Sequence, residues 1–554
     1  MPAEPLARIC NPGTHTPMHI SLYDPDEALD EMARQIDRYK IGAQKRRGRT
    51  PYLSALLLDS NTVSTRVIDG HVGDENRESR NDVLVTAHYR KGGIGRAVAF
   101  TPSGRQVHHA LQRAEHEAYQ GFLQQQGICL LHPEKPNGIH RVTLDLTSVA
   151  GLTYKWLSNQ LAECENAIAS IHGIISSQAL VEIYAGREIF SDSLGRHTIQ
   201  DFGRIYIYLT AVARADDMPD GRFELEDILA CSGTVPELET LFEEAKVKAK
   251  SLANRALQFS LASDRAGDFK LTAREYKVVM DGPMAGVTIH ELGAGHFAEA
   301  DRFLHQGETG DPFYLGKRVG MHDLTIIDNP RLTVNGVKPP SYYEVDHEGV
   351  VVGGPTCIVR NGIFRSYLTS RRSAGTLSTD EIKKFLTANG RIGKVAQIDE
   401  NDNYHPLSPE SRMSTLWIQP VKRCLSLDDL KALVAGEGLY ITTNRGWGEA
   451  HTEKSQGEVR IEEAYFVTKD LELIPVRIPG RTLVLGENVV SYMGKIKAIG
   501  DATTVRYESN WCESESGVVP QSCGGAAIYV EGIPLAPRRL RGAYRKPLTP
   551  VPSR

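Results

Sequence analysis

The chain has 554 residues, 41% hydrophobic and 24% charged, enough for two to four cored domains of an ordinary water-soluble protein. Its 64 Lys and Arg stand against 69 Asp and Glu, a net charge of −5 that supplies no broad positive field for nucleic acid. No apolar run approaches the roughly 20 residues of a membrane helix, the start lacks the apolar core of a signal peptide, and the eight cysteines include no C-x-x-C pair and form no disulfide framework. A cytoplasmic protein without nucleic-acid or membrane partners is the expectation.

Residues 1–23 carry Pro and His without periodicity and read as a loose N-terminal segment. A helix opens at Asp24-Pro25-Asp26-Glu27, with an acid at the N-cap, proline at the first helical position and Glu at the third. Leu29, Met32, Ile36 and Tyr39 then recur at helical spacing through Lys40. Tyr52–Leu58, Thr62–Ile68 and Asp82–Tyr89 read as strands separated by Asp, Asn and Gly. Gly92-Gly93-Ile94-Gly95-Arg96 follows a strand but lacks the context of a dinucleotide fingerprint, and reads as a turn. A helix from about Ser103 to Gln126, with His108 and His109 solvated, completes an α+β domain over 24–140.

A second α+β domain covers 141–270. It has a helix near Thr153–Ser170, strands at Ser176–Tyr184, Glu188–Asp192 and Thr198–Ala213, and a return helix, Val235–Leu257, with a solvated charged face. Ile205–Val212 is apolar enough for the centre of a sheet; with no basic residues between its tyrosines, these read as core and rim. From 271 to 534 the pattern changes to short strands and turns, at 324–328, 350–359, 363–369, 415–418, 438–442, 459–467, 473–478 and 525–530. One helix is clear there, behind the N-cap Ser426. Residues 535–554 form a tail rich in Pro and Arg. The fold class is α+β, with a predominantly β C-terminal domain.

The chemistry concentrates in Thr288-Ile289-His290-Glu291-Leu292-Gly293-Ala294-Gly295-His296-Phe297-Ala298-Glu299-Ala300-Asp301. Two imidazoles with a carboxylate directly after the first are what a metal hydrolase needs: the histidines hold an ion, and Glu291 takes a proton from water. The commonest zinc proteases space their histidines at i and i+4, about 40° apart on a helix. His290 and His296 are six residues apart, roughly 120° on an ideal helix. Both reach one ion only if the chain leaves the helix between them, and Gly293 and Gly295 tolerate that at little steric cost. A loop or bulge from Leu292 to Gly295 is therefore expected, with the imidazole nitrogens within about 4 Å of each other. The spacing alone is also compatible with two unrelated histidines and a solvated Glu.

The block resembles the signature of the TldD/PmbA family of metallopeptidases, H-E-A-x-G-H-x-x-E-x-D. His290-Glu291 matches the first half and Gly295-His296-x-x-Glu299-x-Asp301 the second, with one additional residue between them. Gly316-Lys317-Arg318-Val319, Leu324–Pro330, Asp346-x-Glu348-Gly349-Val350, Ile358–Gly362 and Ser411-Arg412-Met413-Ser414-Thr415 follow in the family's order. Asn510-Trp511-Cys512, with Pro520 beyond it, is similar to the segment that carries the family's third metal ligand. The likeness runs from about Pro51 to about Gly532.

The resemblance implies a peptidase in which His290, His296 and Cys512 hold one divalent ion, zinc being the natural match to a mixed N/S set, with Glu291 as base. Cys523 falls where the family needs no thiol. Glu299, three residues after His296, is the alternative third ligand. The Asn444-Arg445-Gly446-Trp447-Gly448 loop resembles a glycine-rich segment near the family's active site, making Asn444, Arg445 and Trp447 candidates for a substrate groove along a sheet edge. Unfolded peptides are the implied substrate, and a metal-free TldE/PmbA-like paralogue the implied heterodimer partner. Two rivals stand beside this reading: an inactive structural subunit, if the additional residue disrupts the site, and a metal-dependent hydrolase of a non-peptide substrate.

Overall fold

A computed structural model describes residues 22–535 apart from 74, 91, 125, 127–129, 131–137, 217, 219, 273, 293, 303–313, 378–385, 401–402, 423–424, 443–447, 452–455, 479–481 and 487–488. The fold is mixed α+β. Strands from both N-terminal stretches, 24–140 and 141–270, build one eight-stranded sheet. Its main order is Ile94–Ala99, Asn76–His88, Tyr52–Ile68, Ile174–Asp192, His197–Arg214 and Ile139–Val142. Arg222–Ser232 also pairs with His197–Arg214, and His71–Val72 with Tyr52–Ile68. All these pairings are antiparallel except that of Ile139–Val142, which runs parallel to its neighbour.

Alternation along Tyr52–Ile68 assigns the two faces. Leu53, Ala55 and Leu57 pack beneath the helices Pro25–Arg47 and Gly104–Leu123, while Val63 and Val67 pack beneath Tyr154–Ala169 and Val235–Leu261. The first helix starts as its sequence demands: Asp24 accepts hydrogen bonds from the backbone N–H groups of Asp26 and Glu27, with Pro25 following. Leu56 and Leu58 face the other way and meet Phe190, Ile392 and Val395. The C-terminal unit thus docks on the face that the helices leave open.

The strands differ from expectation in one instructive respect. Tyr52–Leu58 and Thr62–Ile68 are a single strand, because Asp59 and Asn61 are satisfied inside it rather than turning the chain. Asp59 accepts from Tyr23 N at 2.7 Å and Asn61 from Ser79 Oγ at 2.8 Å. Burial pushes the Asp59 carboxyl up to about 6. Ser176–Tyr184 and Glu188–Asp192 likewise merge, and Arg187 in the stretch between them reaches Asp201 on the next strand at 2.5 Å. Gly95 lies within the strand Ile94–Ala99; the turn ahead of it closes with Gly92 N on Tyr89 O at 2.7 Å.

The C-terminal unit has two six-stranded sheets. One runs Leu473–Val476, Glu463–Val467, Leu439–Thr442, Arg274–Met280, Ile528–Leu535 and Ile496–Ile499. The other runs Ile363–Phe364, Thr356–Arg360, Ile326–Asp328, Thr415–Ile418, Gly517–Gly525 and Arg506–Ser514. Met284, Ala285 and Ile289 of the helix Gly282–Glu291 join side chains of both sheets in one core. Among the described residues no helix is long and apolar enough to cross a membrane.

Candidate metal centre

The helix Gly282–Glu291 is built to be buried. Asp281 caps it by accepting from Met284 N at 3.0 Å, and Pro283 sits in its first turn. Gly286 lets it lie against the strand Gly517–Gly525; a Cβ there would stand 2.3 Å from Gly524 N. Tyr492 OH donates to Thr288 Oγ1 at 2.5 Å and ties the helix to the distant helix Val489–Gly494. His290 and Glu291 occupy the last turn, and both are buried.

The helix stops there. Leu292 caps it, Gly295 N donates back to Ile289 O at 3.0 Å, and a 3-10 turn begins at His296. Gly295 packs so closely on the end of the helix that a Cβ would stand 2.2 Å from His290 O. The chain therefore turns back on itself between the two histidines, and their ring centroids lie 4.6 Å apart at an interplanar angle of 78°. Gly293 lies outside the described residues.

Cys512 comes from the edge strand Arg506–Ser514, which its polar composition hid from sequence reading. Its Sγ stands 3.8 Å from His296 Nε2. One donor atom each from His290, His296 and Cys512 lie within 4.8 Å of one another. A tetrahedral zinc with ligands at about 2.0–2.3 Å needs donors roughly 3.3–3.8 Å apart, so the three fit an ion after a small contraction. His290 Nδ1 is buried and has no hydrogen-bond partner among the described residues, a state normally relieved by a ligand. The Glu291 carboxylate borders both imidazoles, 3.9 Å from His290 Nε2 and 3.8 Å from His296 Nε2. On the other side of the strand, Trp511 stacks on Tyr206 at 4.8 Å and donates Nε1–H to Tyr208 OH at 3.3 Å, so the N-terminal sheet braces the thiol's neighbour from behind.

Glu299 occupies the far side of the His296 ring. Its carboxylate accepts from His296 Nδ1 at 2.9 Å, Arg302 Nε at 2.9 Å and Met413 N at 3.1 Å. Since a carboxylate only accepts, the proton sits on Nδ1 and Nε2 is left as the donor atom toward Cys512. Glu299 orients the His296 ring here and is not one of the clustered donors. Asp301 anchors the same turn: it accepts from Ser411 N at 2.8 Å and Ser373 Oγ at 2.9 Å. Cys523 pairs across the sheet with Glu508 and Leu416 and is not one of the clustered donors. Asn444, Arg445 and Trp447 lie outside the described residues.

The charges suit ligation. Burial lowers the His290 pKa, keeping the imidazole neutral. Burial pushes Glu299 up, but His296, Arg302 and Arg412 outweigh it and hold the carboxylate well below its usual range. Burial also raises the Cys512 thiol, yet Arg412 and His296 bring it down to about 7. The Cys523 thiol, buried without such neighbours, is pushed well above its ordinary value. In the sequence Arg412 stands only within the Ser411–Thr415 segment; full burial of an arginine at this site is not legible in residue order. A paired substitution tests the assignment. Cys512→Ala should lose the metal, because a three-donor set becomes two, whereas Cys523→Ala should keep it; metal content of the purified variants decides.

Fold and site define a class: an α+β protein whose helix end, following turn and distant edge strand converge a His/His/Cys donor set beside a Glu. Residues 273–536 match the PmbA/TldA metallopeptidase C-terminal domain. The chain is 28% identical over 347 residues to a metalloprotease of Methanocaldococcus jannaschii, covering 62% of this chain and 66% of that one. It is 29% identical over 254 residues to a metalloprotease of Archaeoglobus fulgidus, covering 46% and 51%. The chain thus spans about two thirds of the first relative's length and about half of the second's. TldE from Thermococcus kodakarensis shares the fold, with a TM-score of 0.63 at 14% identity over 92% of this chain and 100% of that structure. Residues 273–536 thus carry the likeness to the PmbA/TldA metallopeptidase C-terminal domain, and the chain as a whole has the fold of TldE.

Proposed function

We propose that the protein is a zinc-dependent peptidase acting on unfolded peptides, and the observation carrying this is the convergence of His290, His296 and Cys512 around the Glu291 carboxylate. The additional residue between the histidines does not separate them, which favours an active member over an inactive structural subunit. His290, His296 through Nε2 and Cys512 through Sγ would hold the ion. When bound, it supplies Lewis acidity to a water and to the scissile carbonyl. Glu291, whose carboxyl burial pushes up to about 7, accepts a proton from the attacking water at a carboxylate oxygen and passes it to the leaving amine nitrogen. Glu299 keeps His296 in the tautomer that leaves Nε2 free. The buried setting of all four groups strengthens the electrostatic interactions among them.

The names of the relatives support peptide as substrate; a metal-free paralogue as heterodimer partner and a cytoplasmic location belong to the same proposal and rest on the motif resemblance alone. Turnover of unfolded peptides against small esters and amides, measured side by side, tests the substrate class. Cleavage of peptides alone is expected; hydrolysis of esters with no cleavage of any peptide would replace peptidase by another hydrolase.

A further inference from the structure

Two of the donors come from chain segments 216 residues apart, His296 and Cys512, and something must fix their separation. We propose that Arg412 is the positioning residue that does so, a strut between the Cys512 strand and the carboxylate that orients His296. This rests on the metal-centre reading above.

The side chain is 1% exposed and is among the largest fully buried ones in the protein. Its Nη2 donates to the Cys512 backbone carbonyl at 2.6 Å. Its Nη1 donates to Ser516 Oγ at 3.1 Å and Gly517 O at 3.0 Å, and contacts Ser514 Oγ. The guanidinium is thereby fixed to the turn that joins Arg506–Ser514 to Gly517–Gly525. Its remaining edge faces the hub of the other ligand: Nε lies 3.7 Å from Glu299 Oε1, while Glu299 Oε2 holds His296 Nδ1 at 2.9 Å. The backbone repeats the link, since Met413 N donates to Glu299 Oε1 at 3.1 Å.

A planar fork can bond a carbonyl and a turn through its two Nη groups while its Nε edge sets the positive charge 3.7 Å from the carboxylate, all in one geometry. An ammonium has the same charge but cannot span all three. Arg412 meets Cys512 at both its backbone carbonyl and its side chain, so its effect on the site passes through Cys512 and Glu299.

Arg412→Lys is the test, read on purified protein stripped of metal and titrated with Zn2+ against a competing chelator. Zn2+ affinity should fall by about tenfold or more, the usual size for losing a group behind a ligand. With Co2+ as probe, the thiolate-to-metal absorption should weaken more than the d–d bands, because Cys512 loses its fixed place while His290 does not. Ser514→Ala loosens the guanidinium without leaving a buried charge unpaired, and should weaken Zn2+ binding by a few-fold even if Arg412→Lys fails to fold. Wild-type Zn2+ affinity in Ser514→Ala and in folded Arg412→Lys would overturn the strut alone. An unsubstituted protein that binds neither Zn2+ nor Co2+ would overturn the metal centre itself and the strut with it.

Discussion

Glu291→Gln is expected to keep its metal and to lose peptide hydrolysis by about 10²-fold or more. The amide has nearly the shape of the carboxylate and fits the same buried place between the two imidazoles, 3.8–3.9 Å from each. It cannot accept a proton. A general base contributes about 10²–10⁴-fold, and no other described carboxylate borders both imidazoles as Glu291 does: Glu299 is committed to His296 Nδ1, Arg302 and Met413. The decisive comparison is kcat at saturating peptide, with metal content measured on the same preparation. Full turnover with metal retained would make another group the base. Loss of metal along with turnover would recast Glu291 as part of the ligand shell.

Gly295→Val is expected to abolish metal binding although glycine supplies no donor atom. Any Cβ at 295 meets His290 O at 2.2 Å and His290 Cα at 2.6 Å, and both are backbone atoms that cannot swing aside. The return of the chain must open, and His296 moves away from His290 with it. Overpacking of this kind costs about 1–3 kcal/mol when the surroundings relax. Here relaxation is itself what separates the ligands, so metal affinity should fall even where the variant remains folded. Zn2+ titration together with thermal melting of the metal-free form separates the two effects. A folded Gly295→Val protein with unchanged affinity would mean that the turn does not set the histidine geometry.

Much of the architecture could be read from residue order, and the exceptions have physical causes. The helices at Pro25–Arg47, Gly104–Leu123, Tyr154–Ala169 and Val235–Leu261 follow from caps and apolar spacing that no long-range contact overrides. Asp59 and Asn61 mislead because turn-forming residues become strand residues once distant partners satisfy their side chains. The strand Arg506–Ser514 was not legible as a strand: its sequence, RYESNWCES, carries little apolar alternation, and its pairing with Gly517–Gly525 is tertiary information. At the site, the six-residue histidine spacing together with Gly295 pointed to a break in the helix, and the helix does end at Glu291. Spacing alone makes Glu299 an alternative third ligand, since it shares a helical face with His296, and gives no sign of an orienting role. The direction of the His296 ring, with Nδ1 on the Glu299 carboxylate, shows that role and could not be read from residue order.

The central claim is that one transition metal belongs to each chain at His290, His296 and Cys512. Elemental analysis of the protein as purified, without added metal, tests it most directly. About one equivalent per chain is expected, zinc above other ions, falling toward zero in Cys512→Ala. A metal-free protein that also takes up none on titration, or a Cys512→Ala variant that keeps its full equivalent, would contradict it.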